Sequence, residues 1–164
     1  MLNNQNIFHK KKILIYGLGK SGLSVFKFLK KNNEITTHDD KIIVDNKKIT
    51  KTKFDYIIIS PGIDINKCNL SKFLKNNSKK IYTDLDIFYS HHEESIKITI
   101  TGTNGKSTTA KMLYDALKDQ KTDVRLVGNI GNPVLLEKKI TNKTVFVIEA
   151  SSYQLEYSKL FKSN

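Results

Sequence analysis

The chain has 164 residues and a formal net charge of +12, from 28 Lys+Arg against 16 Asp+Glu. Its one cysteine, Cys68, cannot form an internal disulfide, which excludes a disulfide-stapled secreted scaffold. No apolar run reaches the ~18 residues of a membrane span, and the N-terminus lacks the pattern of a signal peptide. We therefore expect a soluble, cytoplasmic protein with no membrane partner.

The basic charge comes almost entirely from lysine. Arg125 is the only arginine, although the planar guanidinium is the group most used to read phosphates and base edges. The lysines lie in short, scattered groups along the whole chain. We therefore expect a solvated basic surface and no nucleic-acid partner.

The first half alternates β-branched apolar runs with amphipathic stretches, the pattern of an α/β protein with a parallel sheet. It predicts strands over 12–16, 34–37, 55–60 and 80–83, and helices over 21–31, 70–75 and 84–89. The polar segment 91–95 predicts a boundary between a Rossmann-like domain, residues 1–92, and a second domain, residues 93–164.

The second half starts a new α/β cycle. It predicts strands over 96–101, 123–127 and 144–148, a helix over 106–118 and a Gly-Asn-rich loop over 128–132. A nucleotide-binding α/β domain normally has five or more strands. We therefore expect the second domain to be the start of a P-loop ATPase domain, either unusually small or a fragment.

A glycine loop follows the strand over 96–101 and precedes a helix, which is the order of a phosphate-binding P-loop. Its glycines let backbone N–H groups turn towards phosphate oxygens, and the helix N-terminus adds partial positive charge. Lys106 would contact the β and γ phosphates of ATP, and the Ser107 hydroxyl would bind Mg²⁺. The loop comprises Gly102, Thr103, Asn104, Gly105, Lys106, Ser107 and Thr108. A plain glycine turn that caps a helix is the alternative.

A second glycine turn, residues 17–22, also joins a strand to a helix and has the G-x-G-x-x-G pattern. Asp39, seventeen residues beyond Gly22, stands where such folds place an acid on a ribose. The pattern suits a dinucleotide or any other diphosphate, including a UDP-sugar; a turn needed only for helix packing is the alternative. Two glycine loops in one chain favour a transferase or ligase over a dehydrogenase.

Glu149 follows the strand over 144–148. An acid at the end of a parallel strand beside a P-loop can hold Mg²⁺. The alternative is an acid that is favoured only by the dipole of a helix N-terminus.

Three motifs together resemble the ATP-dependent Mur ligase family. They are TGTNGKSTT at 101–109, GNIGNP at 128–133 and EASSYQLE at 149–156, and GLGKSGLS at 17–24 and ISPGI at 59–63 fit the same family. The resemblance implies a UDP-sugar site that comprises Gly19, Lys20, Ser21, Asp39, Asp40, Ser60, Pro61, Gly62, Asn129 and Ser151. It also implies Lys106 and Glu149 as catalytic residues, with Ser107 and Glu149 as Mg²⁺ ligands. Asp40-Lys41 departs from the Thr-Arg often found there in the family.

The resemblance implies a reaction in peptidoglycan precursor synthesis. ATP would phosphorylate the carboxylate of UDP-N-acetylmuramoyl-L-alanine, and the amine of D-glutamate would displace phosphate to form an amide. The implied cofactors are ATP and Mg²⁺, and we expect a monomer. Two alternatives stay open: another amide ligase of the same superfamily, such as a folylpolyglutamate-type or diaminopimelate-adding one, and an inactive UDP-sugar-binding or nucleotide-binding fragment. We expect the 164-residue chain alone not to turn over.

Overall fold

The computed structural model describes residues 7–42 and 46–164. Two parallel sheets stand out in this part of the chain. The first contains β1 (Lys12–Tyr16), β2 (Glu34–His38), β3 (Tyr56–Ile59) and β4 (Ile81–Tyr82), in the order β2-β1-β3-β4. The second contains β5 (Ile96–Ile100), β6 (Val124–Gly128) and β7 (Val145–Glu149), in the order β5-β7-β6. The parallel α/β class is confirmed.

Helices connect the strands. They are α1 (Lys20–Leu29), α2 (Asn46–Lys51), α3 (Ser71–Asn76), α4 (Asp84–His91), α5 (Lys106–Asp119) and α6 (Ser152–Tyr157). Each strand and helix that the sequence predicts is present, with ends shifted by at most two residues. Helices α2 and α6 were not predicted. No helix in the described ranges is long and apolar enough to cross a membrane.

One apolar core contains residues from both sheets. Ile13 and Ile15 of β1 lie in the same cluster as Phe88 of α4 and Phe146 and Ile148 of β7, and all five are fully buried. Helix α4 therefore packs where the two halves meet, so the polar residues at its start lie inside the protein. The division into domains at residue 92 stays a prediction.

Residues at the start of α4 form hydrogen bonds with the segment that follows α6. Thr83 and Asp86 form a capping box, and the Asp86 side chain is completely buried. One oxygen of Asp86 accepts backbone N–H bonds from Lys159, Leu160 and Phe161, at 2.8, 2.7 and 3.1 Å. A charged acceptor with this many donors makes hydrogen bonds stronger than neutral ones. The segment after α6 is thereby held against the start of α4.

Candidate functional site

The glycine loop over 102–108, called the phosphate loop after its predicted ligand, joins a strand to a helix in the order that the sequence predicts. Strand β5 leads into the loop, and α5 begins at Lys106. Gly102 and Gly105 have φ of +142° and +75°, in the region that favours glycine. The Lys106 ammonium donates to the carbonyl oxygens of Gly102 and Thr103, at 2.7 and 3.3 Å. Its charge therefore lies over the loop, at the N-terminus of α5.

Ser107 and Glu149 meet beside this loop. The Ser107 hydroxyl donates to Glu149 Oε2 at 2.8 Å, and Glu149 is only 4% exposed. Glu149 is the last residue of β7, not the residue after it, because the strand is shifted by one position from the prediction. Hydroxyl and carboxylate oxygens are ligands that suit Mg²⁺. The described residues contain no group of three or more His, Cys, Asp or Glu that could hold a metal ion.

The loop over 128–132 packs tightly on the backbone of Glu149. The Asn129 N–H donates to the Glu149 carbonyl at 2.9 Å. Gly128 has φ of +105°, and a Cβ there would lie 2.2 Å from the same oxygen. No side chain fits in that space, so glycine is required at 128. Glu149 thus contacts the phosphate loop through its carboxylate and the second loop through its backbone.

A cleft of about 660 Å³ opens between the two halves of the chain. One wall is the first glycine turn with the end of β2, and another is the loop after β3. The loop over 128–131 lines the opposite side. The lining residues that the sequence predicts for a UDP-sugar are Gly19, Lys20, Ser21, Asp39, Asp40, Ser60, Pro61, Gly62 and Asn129. The fold therefore brings nine of the ten predicted residues into one cleft.

The glycines of the first turn have different roles. A Cβ at Gly22 would lie 1.8 Å from the Gly17 carbonyl, and one at Gly17 would lie 2.8 Å from Ser60 Cβ. These two glycines are needed for packing. Gly19 has nothing within 4 Å of the Cβ position, so packing does not account for it. Space beside Gly19 is open to the cleft that it lines.

Asp39 is engaged by the backbone. Its two carboxylate oxygens accept N–H bonds from Leu18 at 2.6 Å and from Lys41 at 3.0 Å. These bonds, the Leu18 bond first, hold the pKa of Asp39 below its usual value. Asp39 therefore ties the first glycine turn to the end of β2.

Asp40 has partners that the sequence did not suggest. It accepts a hydrogen bond from the Tyr16 hydroxyl and one from the Asn69 N–H, the latter at 3.3 Å. The buried His38 Nε2 lies 3.5 Å from the same carboxylate. Burial, followed by the hydrogen bond to Asp40, raises the pKa of Tyr16. Tyr16 and His38 look like ordinary strand residues in the sequence, so no signal marked them.

Ser151 is the predicted residue that lies outside the lining of this cleft. It is the N-cap of α6, and its hydroxyl accepts the Gln154 N–H at 3.2 Å.

Sequence analysis also missed Asp84 and Gln154, which are buried together behind the cleft. Asp84 and Asp86 are acids in the first turn of a predicted helix, where the helix dipole favours acids at the surface. The sequence pattern therefore gave no sign that Asp84 is buried.

Comparison with known proteins shows what the chain is similar to. Residues 100–163 match the Mur ligase middle domain. The chain is 34% identical, over 94% of its length, to the UDP-N-acetylmuramoylalanine–D-glutamate ligase of Rickettsia bellii, of which it covers 37%. It is also 34% identical, over 89% of its length, to the ligase of the same name in Clostridioides difficile, and again covers 37% of that relative.

A solved structure supports the fold. The chain resembles the UDP-N-acetylmuramate:L-alanyl-gamma-D-glutamyl-meso-diaminopimelate ligase from Neisseria meningitides, with a TM-score of 0.50 and 16% identity. The match covers 88% of this chain and 55% of that one. Residues 100–163 are thus similar to the Mur ligase middle domain, and most of the chain is similar to part of these ligases. It spans 37% of the length of the Rickettsia bellii relative.

Proposed function

We propose that this chain is the part of an ATP-dependent ligase that binds UDP-N-acetylmuramoyl-L-alanine and Mg²⁺-ATP. The ligase joins D-glutamate to the alanine carboxylate, a step of peptidoglycan precursor synthesis. The supporting observation is the position of Glu149. Its carboxylate accepts the Ser107 hydroxyl of the phosphate loop, and its carbonyl accepts the N–H of Asn129, which lines the cleft. One residue therefore links the two sites between which a phosphoryl group would move.

The cleft suits a nucleotide-sugar with a charged diphosphate. Lys20 and Ser21, at the start of α1, face the cleft beside Gly19. A helix N-terminus with an adjacent lysine attracts phosphate oxygens. The uridine end would lie towards Asp39 and Asp40, and the muramoyl-alanine end towards Asn129 and Ser151.

The phosphate loop suits the triphosphate of ATP. Lys106 would exchange its bonds to the loop carbonyls for bonds to the β and γ phosphates. Ser107 and Glu149 would hold Mg²⁺, which neutralises charge that develops on the transferring phosphoryl group.

The proposed reaction has two steps. An oxygen of the alanine carboxylate attacks the γ-phosphorus of ATP, the bond to the ADP oxygen breaks, and an acyl phosphate forms. The amine of D-glutamate then attacks the acyl carbon, phosphate leaves, and the nitrogen loses a proton to give the amide. Asn129 and Glu149 would align the carboxylate with the phosphate loop, because positioning provides most of the rate in phosphoryl transfer.

The relatives are more than twice as long as this chain. We therefore propose amide formation for the whole ligase, and binding of the two phosphate-bearing ligands for the 164 residues. Use of ATP and the free thiol of Cys68 favour a cytoplasmic location. We propose that the chain is a monomer.

Calorimetry with a series of nucleotide-sugars tests this function. The proposal predicts that UDP-N-acetylmuramoyl-L-alanine binds more tightly than UDP-N-acetylmuramate or the L-alanyl-D-glutamyl derivative. Preference for the longer derivative would favour a diaminopimelate-adding ligase instead. No binding of any nucleotide-sugar would contradict the proposal.

A product assay separates the ligase from an inactive binding fragment. UDP-N-acetylmuramoyl-L-alanine, D-glutamate and Mg²⁺-ATP are incubated with the chain, and phosphate and amide are measured. We expect binding without turnover for the 164 residues, and amide formation when the sequence present only in the longer relatives is joined to them. Failure of that extended protein to form amide would favour the alternative that the chain is an inactive binding fragment.

A further inference from the structure

A buried polar pair joins the two halves behind the cleft. Asp84 is the first residue of α4 and Gln154 lies in α6, and each is only 2% exposed. Gln154 Nε2 donates to Asp84 Oδ1 at 2.7 Å, across 70 positions of sequence. This hydrogen bond is therefore a direct connection between the first half of the chain and the segment after β7.

The chemistry of the pair is specific. A buried carboxylate is unfavourable unless hydrogen bonds compensate for lost hydration. Burial raises the pKa of Asp84, whereas bonds from Gln154, the Leu85 N–H and the Ser21 side chain favour its charged form. Gln154 Oε1 is buried and has no hydrogen-bond partner among the described residues. The amide is thus used only as a donor to Asp84, and an apolar side chain would fill the space without an unpaired oxygen.

The pair lies between two residues of the proposed ligand site. On one side, α1, which contains Ser21 of the turn proposed to hold the diphosphate, packs against α4, and the Ser21 side chain favours the charged form of Asp84. On the other side, the Gln154 N–H donates to the hydroxyl of Ser151, which the proposal places at the muramoyl-alanine end. Gln154 also borders a small crevice with Ser60 and Pro61, two residues that line the cleft itself.

We propose that Asp84 and Gln154 are a positioning pair that sets the separation between Ser21 and Ser151. This inference rests on the proposed function, because it assigns those serines to opposite ends of one nucleotide-sugar. Neither member of the pair contacts the ligand. The pair acts by letting one ligand meet both ends of its site without rearrangement, which is preorganisation.

The test compares two ligands. UDP needs only the diphosphate end, whereas UDP-N-acetylmuramoyl-L-alanine spans both ends. The measured quantity is the ratio of their affinities by calorimetry. Gln154→Met keeps a similar volume but has no N–H donor, and we expect it to lower the ratio by about tenfold. UDP affinity should stay within about twofold, because Gln154→Met changes no residue of the diphosphate end.

A reversed pair provides rescue. Gln154→Glu places two carboxyl groups in contact and should lower the ratio as Gln154→Met does. Adding Asp84→Asn restores a donor and an acceptor, with the amide now donating, and should return the ratio to within about threefold of the unmodified chain. Ser158→Ala is the matched control. It removes the contacts of Ser158 Oγ with Thr83 Oγ1 at 2.6 Å and with the Gln154 backbone carbonyl at 2.8 Å. It leaves the side-chain bond between Gln154 and Asp84 in place, and should leave the ratio unchanged.

The outcomes separate this inference from the proposed function. An unchanged ratio in folded Gln154→Met, or an equal loss of both affinities, would overturn the positioning role alone. The positioning role would also be overturned if the double variant Gln154→Glu, Asp84→Asn unfolded cooperatively on heating but did not recover the affinity ratio. Failure of the unmodified chain to bind UDP-N-acetylmuramoyl-L-alanine would overturn the proposed function, and this inference with it.

Discussion

Ser107 and Glu149 are 42 positions apart in the sequence, and a hydrogen bond of 2.8 Å joins their side chains. Parallel pairing of β5 with β7 creates this contact, because it brings the carboxyl ends of both strands to the same edge of the sheet. The Glu149 backbone at that edge also accepts the Asn129 N–H. The phosphate loop and the cleft are therefore connected through one buried glutamate.

Glu149→Gln should weaken binding of Mg²⁺-ATP. The amide retains an oxygen for Ser107 but loses the charge that favours a divalent cation. We expect a loss of about tenfold or more in affinity for Mg²⁺-ATP and little change for ATP in chelator. Calorimetry with and without Mg²⁺ measures this, with Glu156→Gln on the exposed side of α6 as the control. Equal losses with and without Mg²⁺ would contradict a metal role.

Lys106→Ala should remove most of the nucleotide affinity. The ammonium is the one charged side chain of the loop over 102–108, and its role as a phosphate contact depends on that charge. We expect at least about a hundredfold weaker ATP binding. Lys111→Ala, which removes an exposed lysine paired with Asp115, should bind ATP normally. Unchanged affinity in Lys106→Ala would show that the loop is only a helix cap.

Gly128→Ala should destabilise the fold. The new Cβ would lie 2.2 Å from the Glu149 carbonyl, in a backbone conformation that alanine rarely adopts. We expect a loss of about 2–4 kcal/mol in the free energy of unfolding. The control is Gly62→Ala, where nothing lies within 4 Å of the Cβ position. Urea denaturation of both variants measures the difference, and similar stabilities would contradict the close approach.

Asp86→Asn tests the junction between α4 and the segment after α6. All four backbone partners of this carboxylate are N–H donors, so an amide NH₂ must face at least one of them. We expect a loss of about 2–4 kcal/mol in unfolding free energy. Glu34→Gln, in an exposed ion pair with Lys12, should cost less than about 1 kcal/mol. If Asp86→Asn lost as little stability as Glu34→Gln, the claim that Asp86 stabilises the contact between α4 and the segment after α6 would be wrong.

Asp39 should make stability depend on pH. Its folded pKa lies below the ordinary value of 3.8, because the N–H groups of Leu18 and Lys41 favour the carboxylate. The contribution is therefore complete above the unfolded pKa and is lost as pH falls through the folded pKa. Asp39→Asn should be less stable than the unmodified chain near neutral pH, and this difference should shrink below about pH 4. A difference that is constant across this range would contradict the assignment.

Much of the architecture could be predicted because local pattern and tertiary environment agree. Strands β1, β3 and β7 are mostly continuous apolar runs that the fold buries. Gly17 follows the last residue of β1, and Gly105 precedes the first residue of α5. Helix α2 was missed because its only buried residue is Ile49, which leaves no periodic apolar face. Helix α6 was missed because its buried residue is Gln154, a polar side chain, so no apolar pattern marks its buried face.

The candidate site was predictable where motifs carry the chemistry. The phosphate loop and the glycine turn could be located, and resemblance to the family supplied the remaining cleft residues. What the sequence did not indicate is burial. Asp84, Asp86 and Gln154 are polar residues that lie inside the protein only because α4 packs where the two halves meet. That depends on contacts between distant segments, which no local pattern encodes.

The most direct test of the central claim is an NMR titration of the labelled chain, with the amide resonances of Gly19 and Asn129 as reporters. UDP should shift Gly19 and leave Asn129 unchanged. UDP-N-acetylmuramoyl-L-alanine should shift both resonances with the same dissociation constant, because one ligand would fill a cleft that both residues line. If that ligand shifted neither resonance, or Gly19 alone, the cleft would not be the site at which the nucleotide-sugar meets the phosphate loop.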